Sequence, residues 1–293
     1  MSAIAQTQLD IHPLSAPIGG AIGHGLDEIL ASADLCRSVV MALDRHLMLS
    51  LQAPQVVPQV MAQFSALFGV LRESGRPCAG GVKGLRIVAN TVDADGHPLP
   101  GADTAAHVWH TDYASEQRPL ARIVTYTERA ASSRPTTEWV NMVKLYESLP
   151  QKLKQRIAGR SAVFYPLTNG VHADKQDIEV PLATRQLGES RPMVCCHRTV
   201  SGVMSAPYLY LPSRRDSLIA GLSEAESAAL LGELWDLVEA SPYRYSAAPQ
   251  SGSCVIMDNR AVVHNRQAWP ATEPRTVWAI SCEGELPAAV AAH

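Results

Sequence analysis

The residues with the clearest chemical potential are Val108-Trp109-His110-Thr111-Asp112. On an extended strand, positions i and i+2 project to the same face, so His110 and Asp112 would present an imidazole and a carboxylate side by side. That pair is two-thirds of a 2-His-1-carboxylate facial triad, the donor set that holds non-haem Fe(II) by one face and leaves the other face open. The third ligand must be a distant histidine. His264, in Asp258-Asn259-Arg260-Ala261-Val262-Val263-His264-Asn265-Arg266, is the best candidate, because it follows a strand. Eleven residues later Arg275 opens the last predicted strand. Its guanidinium is a planar fork matched to a carboxylate, and it stays charged when buried. An H-x-D pair alone is a weak signal, and with 10 histidines in the chain a distant His adds little. What raises it is the ordered set: W-H-T-D, then D-N-R-x-x-x-H, then Arg275.

Such groups need a rigid scaffold. Residues 85–90, 107–112, 121–128, 161–166, 192–197, 207–212, 253–258 and 275–283 are short segments rich in β-branched and aromatic side chains. Gly, Pro, Asn or Asp bound most of them, the signature of an antiparallel sandwich or barrel. The predicted fold is therefore mostly β with helical decoration: a double-stranded β-helix (jelly-roll, cupin-like) core with flanking α-helices.

The first 80 or so residues read as helix-rich. Residues 33–46 place Leu35, Val39, Val40, Leu43 and Leu47 at near-helical spacing behind Ser32 as N-cap. Pro58 suits the first turn of a second helix carrying Val60, Phe64, Leu67 and Phe68, and residues 46–51 between them suit a short buried strand. Two helical insertions interrupt the strands: 139–159, broken at Pro150, and 223–240, opened by the capping box Ser223-x-x-Glu226. Segments 91–106 and 167–191 read as loops long enough to be lids. No repeat or linker divides the chain, so a single domain over 1–293 is expected, with 1–80 packing on a jelly-roll core at 85–285.

Lys+Arg 25 against Asp+Glu 28 gives a net charge of −3, which excludes a polybasic nucleic-acid surface as the main business of the chain. No apolar run is long enough to span a bilayer, and the start MSAIAQTQLDIHPLSAP lacks a basic, then continuously apolar, leader. The expectation is a cytoplasmic protein with a small-molecule substrate and neither nucleic-acid nor membrane partners. The six cysteines (Cys36, Cys78, Cys195, Cys196, Cys254, Cys282) form no C-x-x-C pair and are expected to be reduced, not zinc-binding.

The ordered motifs resemble the taurine dioxygenase-like (TauD/TfdA) family of Fe(II)/2-oxoglutarate-dependent dioxygenases, and the match runs through nearly the whole chain. Residues 46–69 are similar to the family's strand, linker and helix ahead of the barrel. Thr137-Glu138-Trp139-Val140-Asn141-Met142 and then 146–159 follow its D-T-x-W-x-N-M and "ALP" helices, and 191–210 its P-V-x-x-x-H…G…L-Y strand pair. The resemblance implies that His110, Asp112 and His264 ligate iron. It implies that Arg275 pairs with the distal carboxylate of 2-oxoglutarate and that Thr137 hydrogen-bonds the same group. The implied cofactors are Fe(II), 2-oxoglutarate and O2. The implied reaction releases succinate and CO2 while hydroxylating an unactivated C–H of a small organic metabolite, with desaturation or cyclisation as the alternative outcome. Homo-oligomers are common in the family. Asp112 argues against a halogenase, in which that ligand position is vacated for halide.

The chain also departs from the pattern. Where taurine-type members carry a second arginine, four residues after the first, to hold the metal-side carboxylate, Ala279 stands; either Arg260 or Arg266 substitutes, or the keto-acid is held less tightly on that side. Met257 replaces the Trp that often precedes D-N-R, and Pro-Thr-Thr-Glu (135–138) replaces Gly-Gly-Asp-Thr. Tyr113, Tyr208, Tyr210, His107 and Trp269 are candidate pocket residues. His107, three residues before His110, points to the opposite face of a regular strand. Asn259, Asn265 and Tyr113 are candidates to orient the imidazoles. His24, His46, His172 and His197 read as loop, surface or helix-end residues, and Arg198, Arg214 and Arg215 as a solvated rim. Two other readings compete: a 2-oxoglutarate-independent cupin-type metalloenzyme, for which Arg275 has no role, and a non-catalytic binding protein, against which the intact His110/Asp112/His264 set speaks.

Overall fold

The computed structural model describes residues 8–14, 17–73, 79–90, 104–166 and 181–290. In chain order come strands β1 Ile11–Pro13 and β2 Gly20–Ile22, helices α1 Leu26–Ala31 and α2 Ala33–His46, β3 Met48–Gln52 and α3 Pro58–Ala66. Next are β4 Arg86–Ala89, β5 His107–His110, β6 Arg122–Arg129, β7 Thr137–Asn141, α4 Met142–Ser148 and α5 Gln151–Ile157. β8 Ser161–Phe164, α6 Leu182–Gln186, β9 Glu189–Pro192, β10 Val194–Cys196 and β11 Tyr208–Leu209 follow. The last group is α7 Glu224–Glu239, β12 Arg244–Ala247, β13 Ser253–Asp258, β14 Val262–Arg266, β15 Thr276–Cys282 and β16 Ala288–Ala289.

A major sheet runs β1-β2-β3-β13-β6-β15-β4 and a minor sheet β12-β7-β14-β5; β11-β10-β16 and β8-β9 form two small ones. Period-2 alternation decides which way each side chain of the major sheet faces. Leu49 and Leu51, Val124 and Tyr126, Cys254 and Ile256, and Trp278 and Ile280 pack with Leu35, Val39, Leu43, Met61 and Phe64 of α2 and α3. Their neighbours Met48, Ile123, Val255 and Met257 face inward and share a second core with Trp109, Trp139, Val140, Val262 and Val263 of the minor sheet. Two sheets face each other and helices cover the outer face of one, which is the jelly roll with flanking helices that the strand pattern predicts.

Local signals are realised closely at the caps. Ser32 accepts a hydrogen bond from Leu35 N at the start of α2, Pro58 occupies the first turn of α3, and Ser223 and Glu226 form the capping box of α7. The insertion predicted over 139–159 begins differently. Residues 137–141 are strand β7, paired with β12 and β14, and only from Met142 does the chain turn helical, with Pro150 separating α4 from α5. Asn141 makes the switch possible: its side chain accepts from Lys144 N as the N-cap of α4 while its backbone ends β7. The lid segment expected at 91–106 lies outside the described residues except for 104–106. Of 167–191, only 181–191 is described, and that part carries α6 and enters β9.

Candidate active site

β5 and β14 are antiparallel neighbours in the minor sheet, and their register sets His110 directly opposite His264. The two imidazole centroids are 4.2 Å apart. β5 ends at His110, so Asp112 reaches the group from the turn that follows rather than from the strand itself. Its Oδ1 lies 3.2 Å from His110 Nε2. One ligand atom from each of His110, Asp112 and His264 falls within 4.8 Å of the other two, the only such cluster of three among the described residues.

The turn carrying Asp112 is tied down by Asn259, which is fully buried. Asn259 Oδ1 accepts from Asp112 N at 3.0 Å, and its Nδ2 donates to the carbonyls of Asp112 and Leu120, both at 2.9 Å. The sequence suggested Asn259 as a partner for an imidazole; it clamps the backbone of the carboxylate ligand instead. His110 is oriented by a main-chain group, with Nδ1 2.7 Å from the Val108 carbonyl. Asn265 turns away and donates to Glu138 at 3.1 Å.

Charge states match a metal-binding role. Burial, reinforced by His110, pushes the pKa of His264 down to about 3, so its imidazole is neutral at neutral pH. Burial works to raise the pKa of Asp112, but the His110 hydrogen bond and the charges of His264, His110 and Arg86 outweigh it and hold the carboxyl below its usual range. His264 Nδ1 is buried without a hydrogen-bond partner. A neutral imidazole with an orphaned ring nitrogen beside an ionised carboxylate is a donor set suited to a divalent cation.

At the His264 end lie two guanidiniums. Arg266, on β14, donates to the Ala105 carbonyl at 2.6 Å and contacts His107 Nε2 at 3.1 Å. Arg275 immediately precedes β15. Both stack on one indole, with the Arg266 Cζ 4.4 Å and the Arg275 Cζ 5.1 Å from the Trp269 centroid. Burial and the nearby Arg266 charge lower the pKa of Arg275 to about 10, which leaves it protonated. Among the described residues no carboxylate pairs with Arg275. A half-buried guanidinium such as Arg275, with no acid partner among the described residues, favours a bound anion. Thr137 pairs with Arg266 across β7 and β14, at this same end.

His107 is a correction. The ladder sets Arg266 opposite His107 but His264 opposite His110, so two residues of β14 span three of β5. That irregularity breaks the alternation, and the His107 ring stands 5.7 Å from the His110 ring instead of on the far face. Other expectations fall elsewhere. Arg260 is held by Asp258, at 3.2 and 3.0 Å, and by the Arg198 carbonyl, so the structure does not bring it to the His–Asp–His group. His197 is no surface residue: it is buried with Nε2 3.0 Å from Asp258. Tyr208 and Tyr210 are core residues, fully buried, their rings packed against His197 and Phe164. His172 lies outside the described residues.

One residue at the site was not anticipated. Arg86, on β4, contributes to the field on Asp112 and donates to the Tyr113 hydroxyl at 2.9 Å. The available signal was a charge inside an otherwise apolar strand segment.

A facial-triad donor set on the minor sheet of a jelly roll, with the Arg275 guanidinium unpaired with any acid among the described residues, fits the class of non-haem iron enzymes that use a keto-acid cosubstrate. The comparisons give the family. The model of the family described as "Taurine catabolism dioxygenase TauD, TfdA family" matches residues 10–281, and the chain belongs to it. It is 27% identical to an alpha-ketoglutarate-dependent sulfate ester dioxygenase of Pseudomonas putida, over 97% of this chain and 92% of that protein. It is 25% identical to an alpha-ketoglutarate-dependent 2,4-dichlorophenoxyacetate dioxygenase of Cupriavidus pinatubonensis, over 94% of this chain and 96% of that one. Its fold superposes with a TM-score of 0.77 on AAD-2, solved with Mn(II) and N-oxalylglycine, at 19% identity over 96% and 99% of the two chains. The protein is an Fe(II)- and 2-oxoglutarate-dependent dioxygenase acting on a small organic substrate. No helix among the described residues is long and apolar enough to cross a membrane.

Proposed function

We propose that His110, Asp112 and His264 hold one ferrous ion, and that Arg275, supported by Thr137, takes the distal carboxylate of 2-oxoglutarate. The enzyme then hydroxylates an unactivated C–H of a small organic metabolite. The observation that supports this best is the convergence of three ligand atoms within 4.8 Å, together with a guanidinium at Arg275 that pairs with no acid among the described residues. With 2-oxoglutarate and O2, ferrous iron supplies an oxidative decarboxylation to succinate and CO2 that is coupled to C–H oxidation.

The chain's own residues do the rest. His264 offers a lone pair without first shedding a proton, and Asp112 is already ionised, so the site is set for a cation at neutral pH. Asn259 fixes where the carboxylate stands. Arg275 anchors the keto-acid by its far end, and Trp269, only 5% exposed, keeps water from both guanidiniums. The relatives named for sulfate esters and for 2,4-dichlorophenoxyacetate act on organic anions, which supports a small acidic metabolite here as well. The test is succinate release from 2-oxoglutarate, dependent on Fe(II) and O2, in wild type and in Asp112→Ala. Succinate from the wild type alone supports the reading; equal release from a folded Asp112→Ala protein overturns it.

A further inference from the structure

We propose that Arg86, together with the Tyr113 hydroxyl, is a subsite that recognises an oxyanion (carboxylate or sulfate) on the primary substrate. This rests on the iron/2-oxoglutarate reading above and names which of the chain's cations selects the second organic molecule.

Three observations carry it. First, Ile87 packs toward the helix layer, so Arg86 beside it faces the interior of the jelly roll. The β4–β15 register sets Arg86 opposite Ala279, a small side chain on the same inward face. Second, Arg86 forms no ion pair among the described residues. Its Nη1 donates to the Tyr113 hydroxyl at 2.9 Å and its Nη2 to the Ser281 hydroxyl at 3.4 Å, and both acceptors are neutral. Tyr113 lies between two guanidiniums, with Arg72 5.5 Å and Arg86 5.4 Å from its ring centroid. Arg72 is paired with Glu116; Arg86 pairs with no acid among the described residues. A half-buried guanidinium whose hydrogen bonds go only to hydroxyls, and which acts on the Asp112 carboxylate without pairing with it, gains from a ligand that brings negative charge. Third, Tyr113 follows the ligand Asp112 and holds a left-handed φ of 56°, strained for a non-glycine residue and consistent with a side chain aimed for a purpose.

Position along the sheet separates this cation from the cosubstrate's. Arg275 and Ala279 are four residues apart, roughly 13 Å along an extended strand. Arg275 stands with Arg266 and Trp269 at the His264 end; Arg86 acts on Asp112 at the other. With Arg275 assigned to the distal carboxylate of the keto-acid, the separation along β15 leaves Arg86 as a cation for the second substrate, and the 2-oxoglutarate affinity of Arg86→Met decides between the two uses.

The test uses the full chain under anaerobic conditions with Fe(II) and 2-oxoglutarate, whose weak visible charge-transfer band reports on binding. Matched probes are added: phenoxyacetate against phenoxyacetamide, and hexanoate against hexanamide. The wild type is expected to bind a carboxylate at least about tenfold tighter than its amide, and Arg86→Met to lose that preference through a ~10- to 100-fold weaker carboxylate affinity. Its 2-oxoglutarate affinity stays within about twofold of wild type. Tyr113→Phe loses a smaller factor. Should Arg86→Met fail to fold, Arg86→Lys, which keeps the charge but not the fork, carries the test with partial loss. The proposal is overturned if the wild type prefers neither carboxylate. It is equally overturned if Arg86→Met weakens 2-oxoglutarate itself, which would give this cation to the cosubstrate. Absence of the band in folded wild type refutes the iron/2-oxoglutarate reading and this subsite with it.

Discussion

Asn259→Ala separates the scaffold's contribution from the metal's. The side chain is fully buried and makes three hydrogen bonds, at 3.0, 2.9 and 2.9 Å, two of them to the backbone of Asp112. At a net worth of about 1 kcal/mol each, their loss costs ~3 kcal/mol, reduced where water reaches the Asp112 turn. For a chain of this size, about 2 °C of Tm per kcal/mol gives a fall of ~4–6 °C for the metal-free protein. Because the clamp holds a ligand rather than a random loop, Mn(II) affinity should also fall, by ~10- to 100-fold. Asn259→Asp is the harsher change, since it sets an acceptor against the two carbonyls to which Nδ2 donates. The assays are thermal unfolding of the metal-free protein and calorimetric titration with Mn(II). A Tm loss with Mn(II) affinity unchanged would mean that Asn259 stabilises the fold without positioning Asp112, and the reasoning would be wrong.

Three further outcomes follow from other parts of the structure. Arg275→Ala should raise the Kd of 2-oxoglutarate by ~10- to 100-fold, with Arg275→Lys recovering part of it and metal affinity hardly moving; unchanged cosubstrate affinity would contradict the assignment. Asp258 is buried, which works to raise its pKa, but Arg260 and His197 together hold it well below the usual carboxylate range. Its stabilisation is therefore complete above the unfolded value of ~3.9 and is lost as pH falls below that. Asp258→Asn should be strongly destabilised at pH 6, and the gap between the urea midpoints of variant and wild type should begin to narrow only below about pH 4; a gap that stays constant as pH falls further would contradict this. Tyr208 is fully buried and its hydroxyl has no partner, so Tyr208→Phe should be neutral or raise stability by up to ~1 kcal/mol in urea unfolding. A marked loss would show that the hydroxyl has a partner.

What could be read from the sequence was what depends on neighbours along the chain. The caps of α2 and α7 need only Ser32 and the Ser223–Glu226 pair, and they form as spaced. His110 and Asp112 share one short motif, and the D-N-R-x-x-x-H spacing carries His264 to the facing strand. Missing were features decided across the sheet. The β5–β14 irregularity that swings His107 to the side of His110 leaves no mark in a single strand's pattern. The pairing of His197 with Asp258 joins positions 61 residues apart, and a histidine before a loop looks solvated until that contact exists. Arg86 owes its environment to Ala279 on β15 and Tyr113 after β5, neither near it in the chain. The segment predicted helical, 139–159, takes in the last three residues of β7 because that strand runs without a breaker into α4.

The central claim is that three side chains, from β5, the turn after it and β14, share one metal ion. Anomalous diffraction from crystals grown with Mn(II) and 2-oxoglutarate, recorded at the manganese edge, tests it directly. The account predicts a single peak bounded by His110, Asp112 and His264, absent from Asp112→Ala crystals. A peak coordinated elsewhere, or none between these residues in a protein that binds Mn(II) stoichiometrically in solution, would contradict it.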